Sequence, residues 1–123
     1  MSLQQQLPDG GVRVRWVGEG SVGLVEETVA ASFLLLPDRW EPWPPDRFEA
    51  IDEAAIDRLL ATAPELVLLG TGTRQRFLPP ALQARILARG IGVECMDNAA
   101  AARTFNLLAD EGRHLVAAFL IET

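Results

Sequence analysis

The chain has 123 residues, which is the size of one domain with a core of its own. It carries 17 acidic and 11 basic residues, which give a formal net charge of −6. That charge argues against nucleic-acid binding and against adhesion to an anionic membrane surface, because both need a basic patch.

The apolar runs are far shorter than the ~20 residues that span a bilayer, so we expect no integral membrane segment. The opening "MSLQQQLPDGG" is polar and unlike a signal peptide. Cys95 is the single cysteine, which excludes a disulfide within the chain and favours a reducing compartment. These features predict a cytoplasmic protein.

We expect residues 1–11 to be flexible and residues 12–123 to form a single α/β domain. The stretch "VRVRWV" at 12–17 alternates, with Val12, Val14 and Trp16 on one face of a half-solvated strand. Strand-like segments continue to residue 36 with turns between them, which is typical of an antiparallel meander.

The segment "PDRWEPWPPDRFEA" at 37–50 has four prolines and no usable periodicity. Its aromatic residues Trp40, Trp43 and Phe48 are of the types that anchor protein interfaces, so they form a candidate partner surface. The alternative is that this segment folds over one end of the core, because large aromatic side chains are mostly buried.

The second half of the chain alternates between helical and strand patterns. Asp52 is suited to cap a helix, and "LVLLG" at 66–70 is typical of a strand covered on both faces. Pro80 opens a second helical pattern whose expected buried face is Leu82, Ile86 and Leu87.

A short strand, "IGVEC", precedes a third helix that Asp97 is placed to cap and that Gly112 is placed to end, and "HLVAAFLIE" closes the chain as a strand. The order predicts an α/β fold: an N-terminal antiparallel β-meander joined to β-α-β-α-β units, with a mixed central sheet and helices on both faces. The direction of the last strand is left open.

The loop "GTGTRQR" at 70–76 raises the question of phosphate binding. It lacks the third glycine of a dinucleotide fingerprint, where Gln75 stands, and the lysine of a P-loop. Pro79 and Pro80 also remove backbone donors where a helix N-terminus would hold an anion. A strand-to-helix turn is therefore favoured over a phosphate cradle.

This loop still has a geometric interest, because loops at the carboxyl ends of neighbouring parallel strands share one edge of a sheet. If the two central strands are neighbours, this edge forms a candidate pocket for a small anionic ligand or for a partner. The candidate residues are Gly70, Thr71, Gly72, Thr73, Arg74, Arg76, Met96, Asp97 and Asn98.

No catalytic set is evident, so we expect a protein that is not an enzyme. Cys95 and His114 would form a dyad only if an antiparallel last strand brought them together. One cysteine and one histidine cannot form a structural zinc site, and the carboxylates lack calcium-loop spacing. We therefore predict no metal and no cofactor.

The segments "ELVLLGTGT", "FLPP" and "GVECMDNAAAARTFNLLADEGRHLVAAFLI" together resemble a family of small α/β domains of unknown biochemical activity. The family includes the mitochondrial NADH dehydrogenase (complex I) assembly factor three, an adipogenesis-associated protein and uncharacterised bacterial proteins. The resemblance covers roughly residues 12–121, and its most specific part is the spacing of Thr104, Phe105, Asn106, Leu108, Glu111, Gly112 and Arg113. Asn98 departs from the threonine that the family leads us to expect.

The resemblance implies a protein-binding or assembly-factor-like module whose partner is a protein of unknown identity. A homodimer is a further expectation, because an edge strand or an aromatic patch can be self-complementary. The alternative function is that of a binder of, or an enzyme acting on, a small anionic ligand at the pocket of the 70–76 and 96–98 loops.

Overall fold

The computed structural model describes residues 11–123, so the flexible segment expected at 1–11 lies outside the described residues except for Gly11. The described strands are β1 (Val14–Val17), β2 (Val22–Leu24), β3 (Thr28–Val29), β4 (Phe33–Leu36), β5 (Arg39–Pro42), β6 (Leu66–Gly70), β7 (Gly92–Met96) and β8 (Leu115–Phe119). The described α-helices are α1 (Glu53–Leu60), α2 (Pro80–Leu87) and α3 (Asn98–Asp110).

The strands form two sheets. β1, β2 and β3 make a small antiparallel sheet, which confirms the predicted meander except for its last strand, because β4 belongs to the central sheet. The central sheet has the order β5-β4-β8-β6-β7, in which β6 is parallel to both β7 and β8, and β4 is antiparallel to β5 and β8. The mixed sheet is therefore confirmed, and the last strand runs parallel to β6.

The central sheet is covered on both faces, as predicted. Alternate side chains of β6 point to opposite sides: Val67 and Leu69 pack in one core cluster with α1 and α2, and Leu68 packs in the other with α3 and the small sheet. This two-sided burial explains why β6 is a continuous apolar run.

The helix starts follow the predicted local chemistry. The Asp52 carboxylate accepts a hydrogen bond from the Ala55 N–H at 2.9 Å, and Pro80 is the first residue of α2. α1 and α2 lie side by side, where Arg85 donates two hydrogen bonds to Asp57 at 2.8 and 3.0 Å.

Three predictions are wrong: that Leu87 is buried, that the 37–50 segment has no regular structure, and that Trp16 shares a face with Val14. Leu87 is 52% exposed, because α2 packs over β7, the strand at one edge of the sheet. No described residue covers the outer side of α2. The 37–50 segment contains β5, an edge strand, where Pro42 is tolerated because edge strands leave backbone groups unpaired.

Trp16 is the third of these, because it does not share a face with the buried Val14. The β1–β2 register is irregular between these two residues, and Trp16 is 48% exposed as a result. Its indole lies directly over Gly23 of β2, where any added Cβ would overlap the ring. The absence of a side chain at Gly23 thus lets the exposed indole pack directly on the backbone of β2.

Asn106 joins α3 to the outer edge of the small sheet. Its amide accepts a hydrogen bond from the Val14 N–H at 3.0 Å and donates one to the Val14 carbonyl at 2.9 Å, as a neighbouring strand would. Arg13 adds an ion pair to Asp110 at 3.0 Å. These contacts explain why an asparagine follows the buried Phe105 in the "TFN" motif.

We predict that Asn106→Ala lowers the free energy of unfolding by about 2 kcal/mol, because both backbone groups of Val14 lose their partner while partly buried. Urea denaturation followed by circular dichroism measures this change. Arg103→Ala, at an exposed position of the same helix, is the control and should change stability by less than about 0.5 kcal/mol. Equal effects of the two substitutions would contradict the role of Asn106.

Candidate functional site

The predicted candidate pocket lies at the carboxyl end of the parallel strands. Gly70 of β6 is paired in register with Met96 of β7 and with Phe119 of β8. The loop after β6, the start of α3 and the tail after β8 therefore meet at one edge, and we call this region the strand-end edge. The shared edge expected of the 70–76 and 96–98 loops is present.

The Asn98 side chain holds this edge together. It is 5% exposed, and its carbonyl oxygen accepts a hydrogen bond from the Gly72 N–H at 3.1 Å. Its amide nitrogen donates to the Leu120 carbonyl at 2.9 Å. The Asn98 N–H also donates to the Gly72 carbonyl at 2.8 Å, so one residue bonds both neighbouring segments.

The two glycines of the loop are required by this packing. A Cβ on Gly70 would lie 2.5 Å from the Asn98 side-chain oxygen and 2.9 Å from the Ala118 carbonyl oxygen. Gly72 has φ +96°, a conformation that L side chains rarely adopt. The Gly-x-Gly pattern therefore serves close backbone approach and a left-handed turn.

Thr71 stabilises the loop through hydrogen bonds to the loop's own backbone. Its side chain is fully buried, and its hydroxyl donates to the Arg74 carbonyl at 2.7 Å while accepting from the Arg76 N–H at 3.0 Å. Its own N–H donates to the Met96 carbonyl at 2.8 Å. The N–H groups of Thr71, Gly72 and Arg76 are thus bonded within the protein and are not free to bind a phosphate.

Arg76 is also engaged inside the molecule. Its guanidinium donates to Glu122 at 2.7 Å and to the Thr71 carbonyl at 2.8 Å, and it lies over the Phe48 ring at 4.6 Å from the ring centre. Glu122 in turn accepts from the Phe48 N–H at 3.0 Å. Hydrogen bonding from Arg76 lowers the pKa of Glu122 below its ordinary value.

A groove of about 310 Å³ does open at the strand-end edge, beside this closed loop. Its walls are Val17, Gly18, Glu19, Gly72, Thr73, Asp97, Asn98 and Ala99. Arg74 and Arg76 are not among them, and the two charged side chains that are present, Glu19 and Asp97, are both acidic. The groove thus favours a cationic occupant over the small anion that the two arginines suggested.

The candidate aromatic surface is divided between the two cores. Trp43 is 3% exposed, and its indole N–H donates to the Ala55 carbonyl at 3.0 Å. Trp40 packs edge-on against Phe33 in the other cluster, and Phe48 lies beneath Arg76. Trp43 therefore agrees with the alternative prediction, in which the segment folds over the core.

Cys95 and His114 lie at opposite ends of the parallel strands and form no dyad. His114 is next to the start of β8, where its carbonyl accepts from the Glu65 N–H, whereas Cys95 is near the end of β7. Burial raises the pKa of the Cys95 thiol, which disfavours the reactive thiolate. Within residues 11–123, no cluster of three or more histidine, cysteine or acidic residues could hold a metal ion.

Sequence reasoning missed several residues of this edge. Glu122 is 46 positions from Arg76, and Glu19 follows a strand of the other sheet, so no local pattern connects them with the loop. Trp16 and Phe77 were not seen as exposed aromatic side chains, although they are 48% and 69% exposed. Gly23, which lies opposite Trp16, was the one sequence signal that the indole could be exposed.

Comparison with known proteins gives a consistent family assignment. The profile of a family described as "Protein of unknown function (DUF498/DUF598)" matches residues 14–120. A Francisella tularensis protein named "13 kDa major membrane protein" is 36% identical over 70 residues, which are 57% of each chain. The Bos taurus NADH dehydrogenase [ubiquinone] 1 alpha subcomplex assembly factor 3 is 35% identical over 88 residues, which are 70% of this chain.

These matches span only 57% of the Francisella protein and 48% of the bovine factor. Among solved structures, a Bordetella parapertussis protein superposes with a TM-score of 0.85 at 35% identity and covers 94% of this chain and all of its own. Among the described residues, no helix has the length and apolar character needed to cross a membrane.

We predict that Asn98→Ala lowers the free energy of unfolding by about 3 kcal/mol, because the buried Gly72 N–H and Leu120 carbonyl both lose their partner. Chemical denaturation measures the change. Thr73→Ala, at the exposed neighbouring position of the same loop, is the control and should be nearly neutral. A loss below about 1 kcal/mol for Asn98→Ala would show that the edge does not depend on this amide.

A second prediction concerns pH. A carboxylate whose pKa is lowered by folding contributes stability at neutral pH and loses that contribution as pH falls through its folded pKa. Wild type should therefore be more stable than Glu122→Gln at about pH 7, and the difference should shrink toward about pH 3. Thermal melts of the two proteins across this range measure the difference, and a pH-independent difference would contradict the ion pair with Arg76.

Proposed function

This chain belongs to the DUF498/DUF598 family of unknown function, and we propose that it is a protein-binding module that assists assembly of a larger complex without catalysing a reaction. The observation that carries the proposal is its similarity to a protein named as an assembly factor for NADH dehydrogenase. The closed state of the strand-end loop supports it, since the loop offers a rigid surface in place of a ligand cradle.

The surface that best suits a protein partner is the strand-end groove together with Trp16. Tryptophan is enriched among the side chains that dominate binding energy at interfaces. Trp16 is 48% exposed and packs on Gly23. Glu19, in the loop that follows β1, and Asp97 line the groove. We infer a partner that presents a basic side chain to the groove and an apolar one to the indole.

The alternative, a small anionic ligand, is supported by Arg74, which is exposed and has no ion-pair partner among the described residues. Against it stand the acidic groove and the engagement of Arg76 by Glu122. A cytoplasmic location belongs to the same proposal, because the chain has one cysteine and no disulfide within it.

The proposal is tested by capturing partners from a lysate of the native host on wild type and on two charge-reversed variants, Glu19→Lys and Arg74→Glu. Both positions are exposed, so the fold should be retained. Matched controls make the same charge changes elsewhere: Glu26→Lys in the β2–β3 turn and Arg103→Glu on α3. Captured proteins are identified by mass spectrometry and their contacts by crosslinking.

We expect a partner that binds wild type and both controls, with crosslinks to the strand-end edge, and that binds at least about tenfold more weakly when Glu19 is reversed. Arg74→Glu separates the two hypotheses. It should strengthen or spare the capture of a basic partner, whereas it should abolish the binding of an anion. A partner retained by Glu19→Lys, with crosslinks elsewhere, would contradict the proposed surface.

A further inference from the structure

The outer edge of β7 is one of the two open edges of the central sheet, since no described strand pairs with it. The Thr71 N–H donates to the Met96 carbonyl, and the Gly92 N–H donates to the Glu65 carbonyl, so these residues of β7 face β6. Backbone direction alternates along a parallel strand. Val93 and Cys95 therefore point their N–H and carbonyl groups outward.

The same edge has an apolar side chain at each end. Phe77, 69% exposed, precedes α2, and its loop contacts the carboxyl end of β7, where Gln75 donates to the Cys95 carbonyl at 2.9 Å. Leu87, 52% exposed, ends α2 only a short turn before β7 begins. The side of α2 that faces α1 is formed by Ala81, Ala84, Arg85 and Ala88. Leu87 lies on the side of α2 away from α1.

We propose that β7 pairs antiparallel with β7 of a second copy of this chain, about a two-fold axis through Val93. The two outward groups of Val93 then bond to those of its counterpart, and the five-stranded sheets join into one. An antiparallel arrangement sets the amino end of each β7 beside the carboxyl end of the other. Leu87 of each copy therefore meets Phe77 of the other.

The charges of the edge fit this register. Centring the pair on Val93 places Glu94 opposite Gly92 of the second copy, so the two glutamates avoid each other. Arg89 adds no charge to this edge, because it lies in the groove between α1 and α2 beside Asp57. Pairing the strands about Glu94 would instead oppose like charges, and an unrelated register would separate Leu87 from Phe77.

The edge is short, and this limits the strength of the dimer. A five-residue strand is about 16 Å long, and with the flank of α2 it falls short of the roughly 800 Å² per partner of a standard interface. Gln75 also occupies one lone pair of the Cys95 carbonyl. The dimer should therefore dissociate with a Kd on the order of 100 µM.

Sedimentation equilibrium of the full chain between roughly 10 µM and 1 mM tests the proposal. Wild type should pass from monomer to dimer across this range. Leu87→Lys and Phe77→Lys should each weaken dimerisation at least about tenfold, because each introduces a charge where apolar side chains meet. The matched control is Leu107→Lys, since Leu107 is 60% exposed on α3 and far from β7, and it should dimerise as wild type does.

Val93→Pro tests the backbone pairing itself. The Val93 N–H faces away from β6, so proline removes the outward donor without breaking the β6–β7 ladder, and circular dichroism checks that the variant is folded. Folded monomer at all concentrations is the expected result. A wild type that stays monomeric to 1 mM would overturn the proposal, and so would a dimer that Leu87→Lys and Val93→Pro leave intact.

Discussion

The hydrogen bonds of the Asn98 amide are the interaction on which the candidate site depends. The loop after β6 and the tail after β8 are 48 residues apart, and this amide bonds to the Gly72 N–H of the loop and to the Leu120 carbonyl of the tail. Because Asn98 is also the first residue of α3, the start of that helix is fixed to the sheet at the same point. Gly70 is constrained to be a glycine because this amide lies where its side chain would be.

This constraint supports the proposed protein-binding surface over the phosphate cradle that a Gly-x-Gly loop also suggests. A cradle for phosphate needs free backbone N–H groups, whereas here the N–H groups of Thr71, Gly72 and Arg76 all have partners within the protein. What remains accessible is a preformed surface of fixed shape. Such a surface suits recognition of another protein, because little conformational entropy is lost when a rigid surface binds.

Much of the fold follows from the sequence because it rests on short-range patterns. Asp52 and Asp97 cap their helices, and the run at 66–70 is buried on both faces, as their neighbours in sequence predict. The features that were missed are set by contacts between distant segments. No local signal turns Trp16 outward or pairs Arg76 with Glu122, and β5 is a strand because β4 lies beside it.

Native-state hydrogen exchange of the Gly72 amide is the most direct test of this account. If the strand-end edge is locked by Asn98, the Gly72 N–H should exchange only by global unfolding, with the same free energy as the amides of β6. Exchange as fast as that of the exposed Thr73 would mean that the loop opens locally. A loop that opens in this way could expose its backbone donors to an anion, and the rigid-surface account would then be contradicted.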